Sequence, residues 1–406
     1  MQPGSPARGS HPTLSVRGRQ LADAPIAAMR LPGPPRPFRM GTPAIDRFPV
    51  RLWATLTLRA LRAAGAEHLD YGPCQPLRTA IAEYVQRAPG LRCLAEQVLV
   101  VSGTQTGLDI LARVLLDPGD LAWLEEPGYV GARGALVAAG ARVVPVPVDA
   151  EGLDVEAGLK RARGARLAYV TPSHQFPLGV AMSMRRREAL LDWAKQARSW
   201  IIEDDYDSEF RYRHRPLPCL NALDADGRVI YVGSFSKTLF PSLRLGFLVL
   251  PPDLRERVAI ARRSLDLQPP ALNQHVLARF IANGHYEAHL RDMRVVYRER
   301  LDALLEAAER YCGGALRMRP VITGLHAVGD LTGVADDAVS VAAAARGLEV
   351  TALSSYYAGA SVAPNGLVLG FGAVTPAEIV RGMQQLAVVL ERVRSTDRAS
   401  AAPPTR

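Results

Sequence analysis

The sequence predicts an α/β fold, in which a mostly parallel, doubly wound sheet forms a large domain and a smaller α+β domain follows at the C-terminal end. Three observations lead there. Short apolar runs alternate with stretches of helical period, polar and reactive side chains stand directly after several of those runs, and the alternation gives way near Pro252 to long helical periods.

The elements follow in order. Leu77, Ile81, Tyr84 and Val85 share one helix face, and Val98 to Val101 reads as a buried strand. Leu108, Leu111, Ala112 and Leu115 make the next helix face. Strands are predicted near Leu121 to Leu124, Arg142 to Val148, Leu167 to Thr171, Trp200 to Glu203, Val229 to Val232 and Gly246 to Leu250, most of them separated by helix-like stretches. After Pro252 come three long helical periods, then strands near Leu325 to Leu331 and Leu367 to Phe371, and a closing helix from about Pro376. We therefore expect a large domain over 41–295, including an N-terminal segment, and a small domain over 296–393. Residues 1–40 are rich in proline and arginine without a sustained apolar period and read as a disordered linker; 394–406 reads as a disordered tail. No internal repeat is visible.

Composition narrows the class. A chain of 406 residues with 48% apolar content can bury a sizeable core. No run approaches the roughly 20 apolar residues of a membrane span, and the N-terminus lacks the apolar core of a signal peptide, so a cytoplasmic location without membrane partners is expected. Cys74, Cys93, Cys219 and Cys312 lie far apart with no Cys-x-x-Cys pair, which argues against a zinc site or a disulfide framework. The formal charge of +9 suits an anionic ligand, but the arginines are scattered rather than banded, and charge alone does not choose a partner.

In an open α/β sheet, ligands bind beyond the carboxyl ends of the strands. Four such places hold suggestive chemistry. At Val-Ser-Gly-Thr-Gln, 101 to 105, a strand ends in Gly103 and a helix begins near Thr104, which offers free amides to a phosphate; an ordinary capped turn would look the same. At Ile201 to Tyr206 a buried strand runs into Glu203, Asp204 and Asp205, carboxylates that need a cation: a protonated pyridine nitrogen, a magnesium ion or an arginine. At 233 to 246, Lys237 follows Ser234 and Ser236 and precedes Arg244; a lysine desolvated there can attack a carbonyl, although a lysine in a polar loop is the plainer reading of Ser-x-Ser-Lys. At Glu125-Glu126-Pro127-Gly128-Tyr129 a turn presents a ring that stacks on a flat cofactor or packs the core edge. Singly these are weak. Together they supply phosphate donors, a pyridinium partner, a stacking ring and a Schiff-base lysine on one sheet.

The order and wording of these runs resemble the fold type I pyridoxal-phosphate enzymes, in particular the class I aminotransferase-like domain of the MocR subfamily of GntR-type regulators. The resemblance covers roughly residues 38 to 393 and is most specific at 125–129, Thr-Pro-Ser-His-Gln-Phe-Pro-Leu-Gly at 171–179, 203–212 and 233–246. It implies pyridoxal 5'-phosphate as cofactor, with Lys237 as the Schiff-base residue and Asp204 on the pyridine nitrogen, chosen over Asp205 by its spacing to Lys237. It further implies Tyr206 on the ring hydroxyl, Gly103, Thr104, Gln105, Ser234, Ser236 and Arg244 at the phosphate, and Tyr129 stacked on the ring. Tyr71 would reach the phosphate of a partner subunit in a homodimer whose sites lie at the subunit boundary.

Four departures qualify the resemblance. Many relatives have Asn-Pro-x-Gly where this chain has Phe176-Pro177-Leu178-Gly179, so His174 or Gln175 is expected to replace the asparagine. An Arg-Leu-x-Phe pattern that grips a substrate carboxylate is replaced by Val368-Leu369-Gly370-Phe371, leaving no fork there. The loop from Tyr71 to Arg78 is about three residues short of the family's. The chain also begins inside what resembles the linker that follows a winged helix-turn-helix, so DNA binding is not expected of it. Two functions compete: transfer of an amino group from an amino acid or amine to a keto acid, and sensing of an amino compound as effector of a transcription regulator.

Overall fold

The computed structural model describes residues 14–22, 33–65, 70–86, 91–213, 215–358 and 364–401, with side chains described as far as Ser395. The rest of the Pro- and Arg-rich stretch and the last residues of the expected tail, 402–406, lie outside the described residues.

Each predicted strand of the large sheet forms: β1 (Val98–Val101), β2 (Leu121–Glu126), β3 (Arg142–Asp149), β5 (Leu167–Val170), β6 (Trp200–Asp205), β7 (Val229–Ser234) and β8 (Gly246–Val249), with a short β4 (Gly152–Leu153) besides. The order is β1-β8-β7-β6-β5-β2-β3-β4. Strands β3, β2, β5, β6 and β7 run parallel, β8 is antiparallel to both its neighbours, and β4 turns back on β3. The central strands are continuous apolar runs because helices cover both faces. On one face, Leu108, Leu111, Leu136 and Val258 pack on Ile202, Val232 and Leu248. On the other, Leu190, Trp193 and Ala194 pack on Ala168, Val170 and Ile201.

The second face is anchored by a pair of indoles. Trp123 on β2 is fully buried, stacks on Trp193 with centroids 4.0 Å apart and planes 15° from parallel, and donates Nε1–H to Ala162 O at 2.9 Å. Gly158 makes the room: a Cβ there would stand 2.9 Å from the Trp123 ring. The helices flanking the pair start where sequence provides a cap, since Asp154 accepts from Ala157 N and Ser183 from Arg186 N.

Beyond the long helix His285–Cys312 lies a second, antiparallel sheet of β9 (Leu316–Met318), β10 (His326–Leu331), β11 (Thr351–Ala352) and β12 (Gly366–Gly370), in the order β11-β12-β10-β9. The expected boundary at 296 falls inside that unbroken helix. Both expected ends also differ from the structure. Within the stretch read as linker, Val16–Ala22 is helical with Ser15 Oγ accepting from Gly18 N, and from Phe38 the chain is packed: Phe38 is fully buried, bridges to Gly370, and is followed by Arg39 in an ion pair with Glu349. At the other end the closing helix Pro376–Ala401 runs past 394, because neither glycine nor proline occurs between 383 and 402. Trp123→Ala is expected to destabilise the protein by about 3–5 kcal/mol, the range for deleting a large buried aromatic, as measured by denaturant unfolding.

Candidate active site

The carboxyl ends of β1, β6 and β7 and the amino end of β8 converge on one edge of the large sheet. At the end of β1, Gly103 has φ +92° and caps the helix Thr104–Leu115, whose first-turn amides have no acceptor within the helix. The Arg244 guanidinium lies directly over Gly103, since a Cβ there would stand 3.2 Å from Cζ. Gly246 closes the approach from β8, where a Cβ would meet the Thr104 amide nitrogen at 3.2 Å. Two positive elements, a helix N-terminus and a guanidinium, thus share one spot suited to a dianion. Ser234 ends β7 and its Oγ accepts from Ser236 N at 3.1 Å.

Lys237 is half-buried and donates from Nζ to Gly41 O at 2.7 Å. Gly41 has φ +65°, and a Cβ on it would fall 2.5 Å from Nζ, so both the backbone and the space around the amine require glycine.

The acidic end of β6 divides between the two faces of the sheet, as neighbours on a strand must. Asp205 accepts from Ser208 Oγ at 2.8 Å and Tyr231 Oη at 2.9 Å. Asp204 is buried, and its Oδ2 accepts from Tyr169 Oη at 2.7 Å while Oδ1 has no hydrogen-bond partner among the described residues. Burial pushes the Asp204 carboxyl up to about 7, and the charge of Lys237 acts in the opposite sense. Glu203, on the same face as Asp205, accepts from the amides of Leu220 and Asn221, both at 2.8 Å, and so braces the loop before β7.

Tyr129 follows β2, with its ring 6.5 Å from that of Tyr169 and edge-on to Phe176 at 5.9 Å; its hydroxyl donates to Gln105 Oε1 at 3.3 Å. Gly131 makes room for that ring, because a Cβ there would lie 2.4 Å from it. Of the two candidates to replace an asparagine, Gln175 is committed to the fold, its amide donating to Pro127 O and Phe176 O at 2.9 and 2.7 Å. His174 faces Tyr206: the Tyr206 hydroxyl donates to His174 O at 3.0 Å and stands 3.0 Å from Nδ1. Tyr71 stands apart from all of these within one chain and is 76% exposed.

Several residues at this edge escaped the sequence reading. Asp207 Oδ1 lies 2.8 Å from His174 Nδ1, and His326, from the small sheet, places Nε2 2.9 Å from Pro177 O; the potential ligand atoms of His174, Asp207 and His326 all lie within 4.8 Å of one another. Burial, with His174 beside it, pushes the His326 imidazole down to about 4. Glu125 is fully buried and accepts through Oε2 from Thr171 N and Oγ1, which holds the 171–179 loop against β2. Tyr169 and Gly41 complete the list. The only signal for Asp207 was its place in the acidic run; none marked Gly41 or His326.

A buried carboxylate oxygen without a donor calls for a cationic N–H, the helix N-terminus and Arg244 call for a phosphate, and Lys237 calls for a carbonyl carbon. Pyridoxal phosphate carries all three groups on one flat ring, and the residues present fit it.

Residues 45–385 match the family described as aminotransferase class I and II. Among curated proteins, the chain is 40% identical to the probable rhizopine catabolism regulatory protein MocR of Rhizobium meliloti, over 98% of this chain and 82% of that protein. It is 30% identical to aromatic-amino-acid aminotransferase 1 of Thermococcus litoralis, over 86% and 87%. Among solved structures, it matches LysN, the α-aminoadipate aminotransferase of Thermus thermophilus complexed with N-(5'-phosphopyridoxyl)-L-leucine, with a TM-score of 0.80 and 30% identity over 88% of this chain and 92% of that one. This chain therefore belongs to the aminotransferase class I and II family, with similarity both to MocR-type regulators and to aminotransferases.

Proposed function

We propose that this protein binds pyridoxal phosphate at Lys237 and transfers an amino group from an amino acid or amine to a keto acid. The observation that carries the reading is the unpartnered Asp204 Oδ1, buried on the same sheet edge as Lys237 and the Gly103–Arg244 anion site. When bound, the cofactor supplies an aldehyde that condenses with amines and a protonated ring that takes up electrons. The chain does the rest. Asp204 holds the proton on the ring nitrogen, the amides after Gly103 with Ser234, Ser236 and Arg244 bind the phosphate, and Tyr129 covers one face of the ring. Tyr206, steadied by His174, meets the ring hydroxyl. Lys237 would hold the cofactor covalently, and as a free amine its Nζ would accept the proton from the carbon that bears the amino group and give it up again on the cofactor side.

A second reading is favoured by the 40% identity to MocR over nearly the whole chain: the same site serves to sense an amino compound without turnover. An amino compound followed by a keto acid separates the two. Loss and recovery of the bound cofactor's visible absorption denotes transfer, and a shifted band that stays put denotes sensing.

Lys237→Ala is expected to abolish the visible absorption of the reconstituted protein. Asp204→Asn is expected to lower cofactor affinity at least about 100-fold, the scale of removing one partner from a buried charge pair. The pH dependence has a definite sign. Burial raises the Asp204 carboxyl from 3.8 to about 7 in the cofactor-free chain, so its stabilising contribution is present below about pH 4 and lost as pH rises through about 7. A cationic partner reverses that loss. The rise in Tm on adding pyridoxal phosphate should therefore be larger at about pH 8 than at about pH 5, and Asp204→Asn should flatten the difference. An unchanged profile in the variant contradicts the assignment.

We further propose that the protein is a homodimer in which Tyr71 completes the partner's phosphate site; its exposure in a single chain supports this. Light scattering is expected to give twice the chain mass, and a monomer at micromolar concentration contradicts it.

A further inference from the structure

A second group of arginines stands on the helix Pro252–Asp266. Leu254 and Val258 of that helix pack on the large sheet. Arg255, Ala259, Arg262 and Arg263, spaced i, i+4, i+7 and i+8, share another face. That face lines a cavity of about 580 Å³, together with Arg78, Glu96 and Glu256 and the apolar side chains of Val98 and Val100. Lys237, Asp204, Gly103 and Arg244 are not among its walls. The volume is that of a small-molecule site rather than of a single ion's.

The lining charge is unbalanced, with four guanidiniums against the carboxylates of Glu96 and Glu256. Arg262 is the buried one, 9% exposed, and its Nε has no hydrogen-bond partner among the described residues. Burial pushes its guanidinium below the ordinary value; Asp266 acts in the opposite sense, and Arg263 adds to the fall. Asp266 is engaged elsewhere, since its Oδ2 accepts from Ser102 Oγ at 2.7 Å. Arg78 is held in place as part of the wall, its Nε donating to Ala95 O and Val98 O, both at 3.0 Å. Burial lowers its guanidinium too, Glu96 opposing and Arg255 adding to the effect. A buried donor left without an acceptor is costly, and arginines close enough to depress one another are relieved by an anion between them. The paired donors of a guanidinium match the oxygens of a carboxylate or a phosphate.

We infer that this cavity is a second anion site, which takes a small organic carboxylate or phosphate ester with its charged group on Arg262 and the neighbouring arginines and its apolar part on Val98 and Val100. The site stands apart from the proposed cofactor site and does not depend on it.

The test is isothermal titration of the protein, loaded with pyridoxal phosphate and freed of excess, with benzoate and with phenyl phosphate. Benzyl alcohol serves as the uncharged counterpart. At least one of the two anions should bind once per chain, benzyl alcohol should not, and the visible band of the bound cofactor should stay unchanged. Arg262→Gln should weaken the binding about tenfold or more, the scale of one charge-assisted hydrogen bond. Arg263→Gln, at an exposed position that folding tolerates, should weaken it in the same direction. Failure of both anions to bind, or unchanged affinity in both variants, overturns the inference. Binding that expels the cofactor, seen as loss of the visible band, puts the anion in the Gly103–Arg244 cradle and overturns it as well. A protein that takes up no pyridoxal phosphate overturns the cofactor reading, and the two arginine variants then decide this inference alone.

Discussion

One buried oxygen constrains the site more than any other atom. Asp204 stands at the end of the strand Trp200–Asp205, buried, with one carboxylate oxygen on Tyr169 and the other without a partner among the described residues. Folding tolerates such a group only when it is neutral or when a cation arrives, which makes the site incomplete in a specified way. The position of that defect, on the same sheet edge as a half-buried lysine and a helix N-terminus, follows from topology. Parallel strands place their carboxyl ends together, on an edge that the helices covering both faces leave open.

The supporting shell uses room rather than added contacts. Gly41, Gly103, Gly131 and Gly246 each keep clear a space that a methyl group would fill, for the Lys237 amine, the Arg244 guanidinium, the Tyr129 ring and the Thr104 amide respectively. Glu125 and Glu203 brace the loop that carries His174 and the segment that leads into β7 by accepting backbone amides. Both stay buried at some cost, each pushed up to about 7 by desolvation. The small sheet contributes His326, whose imidazole burial pushes down to about 4 and whose Nε2 lies 2.9 Å from Pro177 O.

Much of this was legible in the sequence. Strands buried on both faces appear as short apolar runs, and residues that follow such runs fall at the ligand edge, which is why Gly103, Asp204 and Lys237 stood out. The choice of Asp204 over Asp205 rested on spacing to Lys237; strand alternation puts the two on opposite faces, and the structure adds which face holds the unpartnered oxygen. The rest depended on contacts far apart in sequence: Gly41 meets Lys237 across 196 residues, and His326 meets Pro177 across 149. No local pattern encodes such pairs. The stretch read as a linker to residue 40 misled for a similar reason, because proline and arginine dominate its composition while its anchors at Phe38 and Arg39 are set by the distant Gly370 and Glu349.

The central claim is that Asp204 meets a protonated ring nitrogen, and the most direct measurement is the nitrogen-15 chemical shift of pyridoxal phosphate labelled at the ring nitrogen and bound to the protein. The account predicts a protonated pyridinium shift that persists above neutral pH and reverts to the unprotonated value in Asp204→Asn. An unprotonated nitrogen in the native protein at neutral pH would contradict it.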